Sequence, residues 1–109
     1  MAEFDTIIQI RKYLEEEFAM DNEEIDEMIE ILLDSIQRQI SELESAISSC
    51  DLSKVGGIGH AIKGAAANIG AIYISNIGKN LEMNSDPVKC AEMTEKLQEA
   101  ITILLNQKS

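Results

Sequence analysis

Tryptophan is absent from this chain, and proline and histidine occur once each in 109 residues. Four aromatic residues, two Phe and two Tyr, leave the core to Ile, Leu, Met and Ala. One Pro and six Gly supply little material for turns, so few, long elements are expected. The two cysteines, Cys50 and Cys90, stand far apart and match no metal-binding spacing, although a disulfide stays open. Basic residues are scarce too. Nine Lys and Arg face twenty Asp and Glu, for a formal net charge of -11. Nucleic acid and anionic lipid both require clustered cations, so the balance speaks against either partner. No run approaches the roughly 20 apolar residues of a membrane span. Acidic residues follow Met1, with no basic start and no apolar signal core. A reduced, cytoplasmic protein is the expectation.

What is present is helical in rhythm. Apolar residues make up 45% and charged residues 27%, a balance that suits one soluble domain with a modest core. Phe4 to Phe18 carries Ile7, Ile8, Ile10 and Leu14 and predicts a first helix. Asp21 and Glu24 have the spacing of a capping box. After them Ile25, Met28, Ile29, Leu32, Leu33, Ile36, Ile40, Leu43 and Ile47 repeat at three and four, predicting a long amphipathic helix that ends near Ser49. Asp51 is a cap for the next helix, and Gly70 is its C-terminal glycine. A fourth helix is expected from Ile72 to Met83. Asp86 and Pro87 then start a last one, striped by Val88, Ala91, Leu97, Ile101, Leu104 and Leu105. No stretch alternates at period two, and no repeat or linker is visible. The expected fold is all-α: an antiparallel up-down four-helix bundle over residues 21–109, with an additional N-terminal helix within residues 1–20 packed on it. A closed bundle of this kind is expected to be a monomer.

The lone histidine is the candidate functional residue. On a helical wheel at about 100° per residue, Val55, Ile58, Ile62, Ala65, Ala66 and Ile69 share one sector, and His60 points about 170° from its centre. The outer face around His60 holds Gly56, Gly57, Lys63, Gly64 and Ala67. Glycine on an exposed helix face costs about 1 kcal/mol against Ala, so clearance for an approaching partner explains Gly64 better than packing does. With a turn centred near Ala71, His60 lies level with Glu82, and Lys63 with Lys79. Ile74, Ile77, Gly78 and Leu81 then face inward, with Glu82 on the flank. Each group suits phosphoryl transfer. Imidazole is available near neutral pH, a carboxylate on one ring nitrogen frees the other to attack, and lysines screen phosphoryl oxygens.

Gly59-His60-Ala61-Ile62-Lys63-Gly64-Ala65-Ala66-Ala67-Asn68-Ile69-Gly70-Ala71 resembles the signature of histidine-containing phosphotransfer (HPt) domains. That pattern reads His, any residue, an aliphatic, Lys-Gly, two small residues, two variable ones, an aliphatic and Gly. Asn80-Leu81-Glu82 resembles the Leu-Glu of the following helix, and Asp51 also fits. The likeness covers about residues 21 to 106, and the first 20 match only as a generic extra helix. It implies a phosphorelay intermediate of two-component signalling, with no kinase activity and no ATP site of its own. By resemblance His60 takes the phosphoryl group on the nitrogen far from its backbone. Lys63 assists electrostatically, Gly64 gives access, and Glu82 stands where related domains place Glu or Gln against the histidine. Lys79 falls at a variable position. The implied partners are response-regulator receiver domains and a hybrid histidine kinase. No cofactor is implied, since Mg²⁺ belongs to the receiver. Docking is expected over the Gly64 face, with Ala61, Ala65 and parts of the first two helices in contact. The run Gly56, Gly57 and Gly59 is richer in glycine than the pattern and predicts a looser helix ahead of His60.

Other chemistries fit less well. A P-loop needs Gly-Lys-Ser/Thr after a strand, and a dinucleotide fingerprint needs a glycine three residues after Gly59. Zinc is improbable with one His and two remote Cys. A kinase dimerisation hairpin would place an acidic residue at Ala61. The rival from another class is a helical adaptor or inhibitor that binds a signalling partner with His60 inert.

Overall fold

The computed structural model describes residues 4–108. Residues 1–3 of the expected N-terminal segment and residue 109 of the expected bundle lie outside the described residues. Five helices follow one another: α1 (Ile7–Phe18), α2 (Asn22–Ser48), α3 (Leu52–Asn68), α4 (Ile72–Met83) and α5 (Pro87–Gln107). No strand occurs among the described residues. Helix α2 packs on α3 and α5, α3 packs on α4, and α4 packs on α5, so these four close into a bundle.

Local signals set most of the boundaries. Asp21 accepts from the Glu24 amide at 2.9 Å while Glu24 accepts from the Asp21 amide at 3.0 Å, a complete capping box. Asp51 accepts from the Lys54 amide, and Asp86 from the Val88 amide. From α2, Ile25, Ile29, Leu32, Leu33, Ile36, Ile40 and Leu43 enter the core, as the periodicity requires. Between α3 and α4, Gly70 has φ of +76°, the left-handed conformation that glycine adopts without a steric penalty. A side chain there would also strike Tyr13, whose ring lies 2.5 Å from where a Cβ would stand.

Three details depart from the periodic reading. Helix α1 begins at Ile7 rather than Phe4, because Thr6 caps it by accepting from the Gln9 amide. Ile10 and Leu14 are buried, whereas Ile8 is 80% exposed. On α5, Val88 is 66% exposed and Ala91 is also exposed. The buried stripe is Cys90, Thr94, Leu97, Ala100, Ile101 and Leu104, so the inward face is offset from Val88 and Ala91. Thr94 enters this apolar face by donating its hydroxyl to the Cys90 carbonyl at 2.8 Å. On α3, Ala65 is exposed and Ile58 only half-buried, so the inward sector is narrower than expected.

The N-terminal end of α4 is capped from a distance. Ala71 has no side chain with which to cap it. Asp5 takes over, accepting from the amides of Tyr73 at 3.1 Å and Ile74 at 2.8 Å. Phe4 packs its ring against Tyr73, with centroids 4.8 Å apart. Helix α1 is tied elsewhere too. Arg11 pairs with Asp26 and donates to Asn22 of α2, and Gln107 of α5 accepts from the Ile7 amide. Among the described residues, no helix is long and apolar enough to cross a membrane.

Candidate functional site

Helix α3 carries His60 on its outer side, with 68% of the side chain exposed. Asp51 starts this helix nine residues earlier, so the ring stands about midway along it. Helix α4 runs alongside and brings Glu82, in its last turn, to the imidazole. The His60 Nδ1 and Glu82 Oε2 lie 2.6 Å apart. Lys63, one turn after His60, donates from Nζ to the other carboxylate oxygen, Oε1, at 2.7 Å. One carboxylate therefore bridges the histidine and the lysine.

The electrostatics follow from that bridge. The hydrogen bond from Lys63, and then the one from His60, hold the Glu82 carboxyl below the usual glutamate range. An ionised carboxylate only accepts hydrogen bonds, so Nδ1 carries the hydrogen. In the neutral ring this leaves the lone pair on Nε2. A carboxylate in the last turn of a helix opposes the macrodipole, so helix stability does not account for glutamate here. Its charge is matched by Lys63 across the groove instead.

Around the ring the surface is low. A Cβ at Gly64 would find no atom within 4 Å, and neither would one at Gly57. Ala61 and Ala65 are exposed beside them. An incoming group thus meets the imidazole without a side chain of position 64 in its way. The sequence placed Lys63 and Lys79 together at one level. The structure brings together His60, Lys63 and Glu82, while Lys79 stands exposed on α4 and makes no ion pair among the described residues.

The glycine run ahead of His60 lies within unbroken helix. Helix α3 is continuous from Leu52 to Asn68, and Gly59 is buried against α4. Its hydrogens face Gly78, whose carbonyl oxygen lies 2.7 Å from where a Cβ of residue 59 would stand. Gly59 is closely packed, whereas Gly64 borders open space.

Two features escaped the sequence. Asp5 caps α4 from 68 and 69 residues away, and no local pattern marks such a partner. An apolar groove lined by Leu14, Phe18, Met20, Met28 and Asn68 opens where α1, α2 and α3 meet. Asn68 lies one turn beyond Gly64, so the groove continues the low surface beside His60. The cysteines add no chemistry here. Both are free, and burial pushes the Cys90 thiol up, which keeps it protonated. No group of side chains suited to a metal ion occurs among the described residues.

The family model described as Hpt domain matches residues 27–107, which span most of α2, all of α3 and α4, and α5. Helix α1 lies outside the match. No curated protein and no solved structure matches the chain.

Proposed function

Because the chain belongs to the Hpt domain family, whose members serve phosphotransfer in two-component systems, we propose that His60 accepts a phosphoryl group on Nε2 and passes it on. The observation that carries this reading is the bridge from Glu82 to both His60 and Lys63 beside the open surface at Gly64.

The chemistry runs as follows. A receiver domain presents an aspartyl phosphate. The Nε2 lone pair attacks phosphorus as the bond to the aspartyl oxygen breaks, and the bonding pair leaves with the aspartate carboxylate. No proton needs to move, because Nδ1 already holds its hydrogen against Glu82. The phosphorylated ring then carries positive charge, which the Glu82 carboxylate stabilises at short range. Lys63 faces the phosphoryl oxygens with its ammonium, and its bond to Glu82 keeps it in place. The same steps in reverse return the group to a second receiver. The protein needs no cofactor of its own, and the Mg²⁺ sits with the receiver's carboxylates.

The receiver docks over Ala61, Gly64 and Ala65 and extends onto the groove at Phe18, Met20 and Met28. This surface suits a partner with one apolar helix face next to its phosphorylated aspartate. A hybrid histidine kinase fits as a supplier through its own receiver domain.

The test is transfer from a phosphorylated receiver, read as acid-labile, base-stable phosphate on the chain. Wild type becomes labelled, and His60→Gln stays unlabelled while keeping its helical content. If the folded wild type takes no label from any receiver of its organism, the chain is a binding module with an inert histidine.

A further inference from the structure

We propose that Gly59 and Gly78 are positioning residues for His60. They let α3 and α4 touch backbone to backbone, and that closeness places Glu82 where one carboxylate reaches both His60 and Lys63. The inference deepens the reading of His60 as phosphoryl acceptor and rests on it for its functional consequence.

The two glycines face each other across the crossing. A Cβ on Gly78 would lie 2.6 Å from the Lys63 amide nitrogen and 2.7 Å from the Gly59 carbonyl oxygen. A Cβ on Gly59 would lie 2.7 Å from the Gly78 carbonyl oxygen and 2.8 Å from the Glu82 amide nitrogen. These obstacles are backbone atoms, which cannot swing aside as a side chain can. Ordinary contact begins at 3.4 Å, so alanine at residue 78 drives the helices apart by roughly 0.8 Å (3.4 less 2.6). The Ser75 hydroxyl donates to the Lys63 carbonyl at 3.0 Å and closes the same crossing from the other side.

The crossing and the site share their residues. Gly59 precedes His60, Lys63 is itself a contact of Gly78, and Gly78 stands one turn before Glu82. The hydrogen bonds that Glu82 accepts are 2.6 and 2.7 Å long, with little slack, and they come from two groups one turn apart on α3. Moving the helix axes apart stretches the bond to the short imidazole side chain first, and glutamate is already the longest natural carboxylate side chain available to span the gap. Among the described residues, Gly59 and Gly78 are the two glycines whose Cβ positions fall under 3.0 Å from the backbone of a facing helix.

The test reads the ring directly. His60 is the only histidine, so ¹⁵N NMR of labelled protein reports its tautomer without ambiguity. Spectra are taken at alkaline pH, above the last pH-dependent change in the ring's own ¹⁵N shifts. Wild type shows hydrogen on Nδ1. In Gly78→Ala and Gly59→Ala the two nitrogens move toward the mixed pattern of free imidazole, and the rate of phosphoryl uptake falls about tenfold. Ile101→Val thins the core on α5, which contributes no residue to the crossing, lowers stability and leaves the tautomer as it is. A folded Gly78→Ala with the wild-type ring pattern overturns the proposal, as does an equal shift in Ile101→Val. Should both alanine variants fail to fold, Ser75→Ala decides. It adds no volume, and it shifts the pattern in the same direction by less, whereas an unchanged pattern overturns the proposal. If wild type takes no phosphoryl group but the glycine variants still move the tautomer, the assignment of function fails and the positioning stands.

Discussion

The two ends of α4 are each held by a carboxylate, and the two carboxylates do opposite jobs. At the N-terminal end Asp5 is 2% exposed and accepts from backbone amides, with no cation among its hydrogen-bond partners. Burial raises its carboxyl above the usual aspartate range, against the pull of those amides. At the C-terminal end Glu82 is half-buried between Lys63 and His60, which hold it below the usual glutamate range. Asp5 sits where the helix dipole favours negative charge, and Glu82 sits where it does not. The first arrangement serves the fold. The second carries a charge against the local preference and serves the ring beside it. The two carboxylates are thus told apart on a single helix by asking whether their own helix benefits.

The largest expected effect separates the ends by activity. Glu82→Ala frees the imidazole tautomer and removes the countercharge from the phosphorylated ring. Single-turnover uptake from a phosphorylated receiver slows about 10- to 100-fold, while the melting temperature stays near wild type. Glu82→Gln keeps an acceptor for Nδ1 and loses less. The converse change, Asp5→Ala, leaves the first turn of α4 without its cap. It costs about 1 kcal/mol, seen as a fall of about 5 °C in melting temperature, with transfer unchanged. Equal slowing of transfer in both variants would break the comparison. The smallest effect is in pH dependence, and the signs differ. A raised carboxyl contributes most below the ordinary aspartate value of about 3.9, and its contribution fades as pH rises through the folded value. A depressed one contributes fully above the ordinary glutamate value of about 4.3 and loses that as pH falls through the folded value. Denaturant midpoints from pH 3 to 7 therefore show the Asp5→Ala deficit narrowing with rising pH and any Glu82→Gln deficit widening. Parallel slopes would place the two carboxylates in one class.

Legibility in the sequence followed the range of the interaction. The caps Asp21, Asp51 and Asp86 are local, set within about one turn, and they were readable. The pairing of His60 with Glu82 was readable through a single assumption, a tight turn at Ala71, which Gly70 in its left-handed conformation satisfies. Lys79 was placed beside Lys63 by level alone. Level along a hairpin does not say which way a side chain turns, and Lys63 pairs with Glu82 instead. Gly56, Gly57 and Gly59 looked like one flexible run, yet Gly57 faces open space and Gly59 faces a backbone. Helix rotation separates neighbours in sequence onto different surfaces, and a wheel drawn from one helix does not show what lies opposite.

By itself the sequence determined the helical class, the order of the elements and the outward aspect of His60, because periodicity, caps and turn residues act within a few residues. Only the tertiary structure decided that the Glu82 carboxylate bridges Lys63 as well as the imidazole, that Asp5 closes the far end of α4, and that Gly59 and Gly78 set how near the two site-bearing helices approach. Those depend on contacts between segments distant in the chain, where the distance between helix axes is a result of packing and has no local signal.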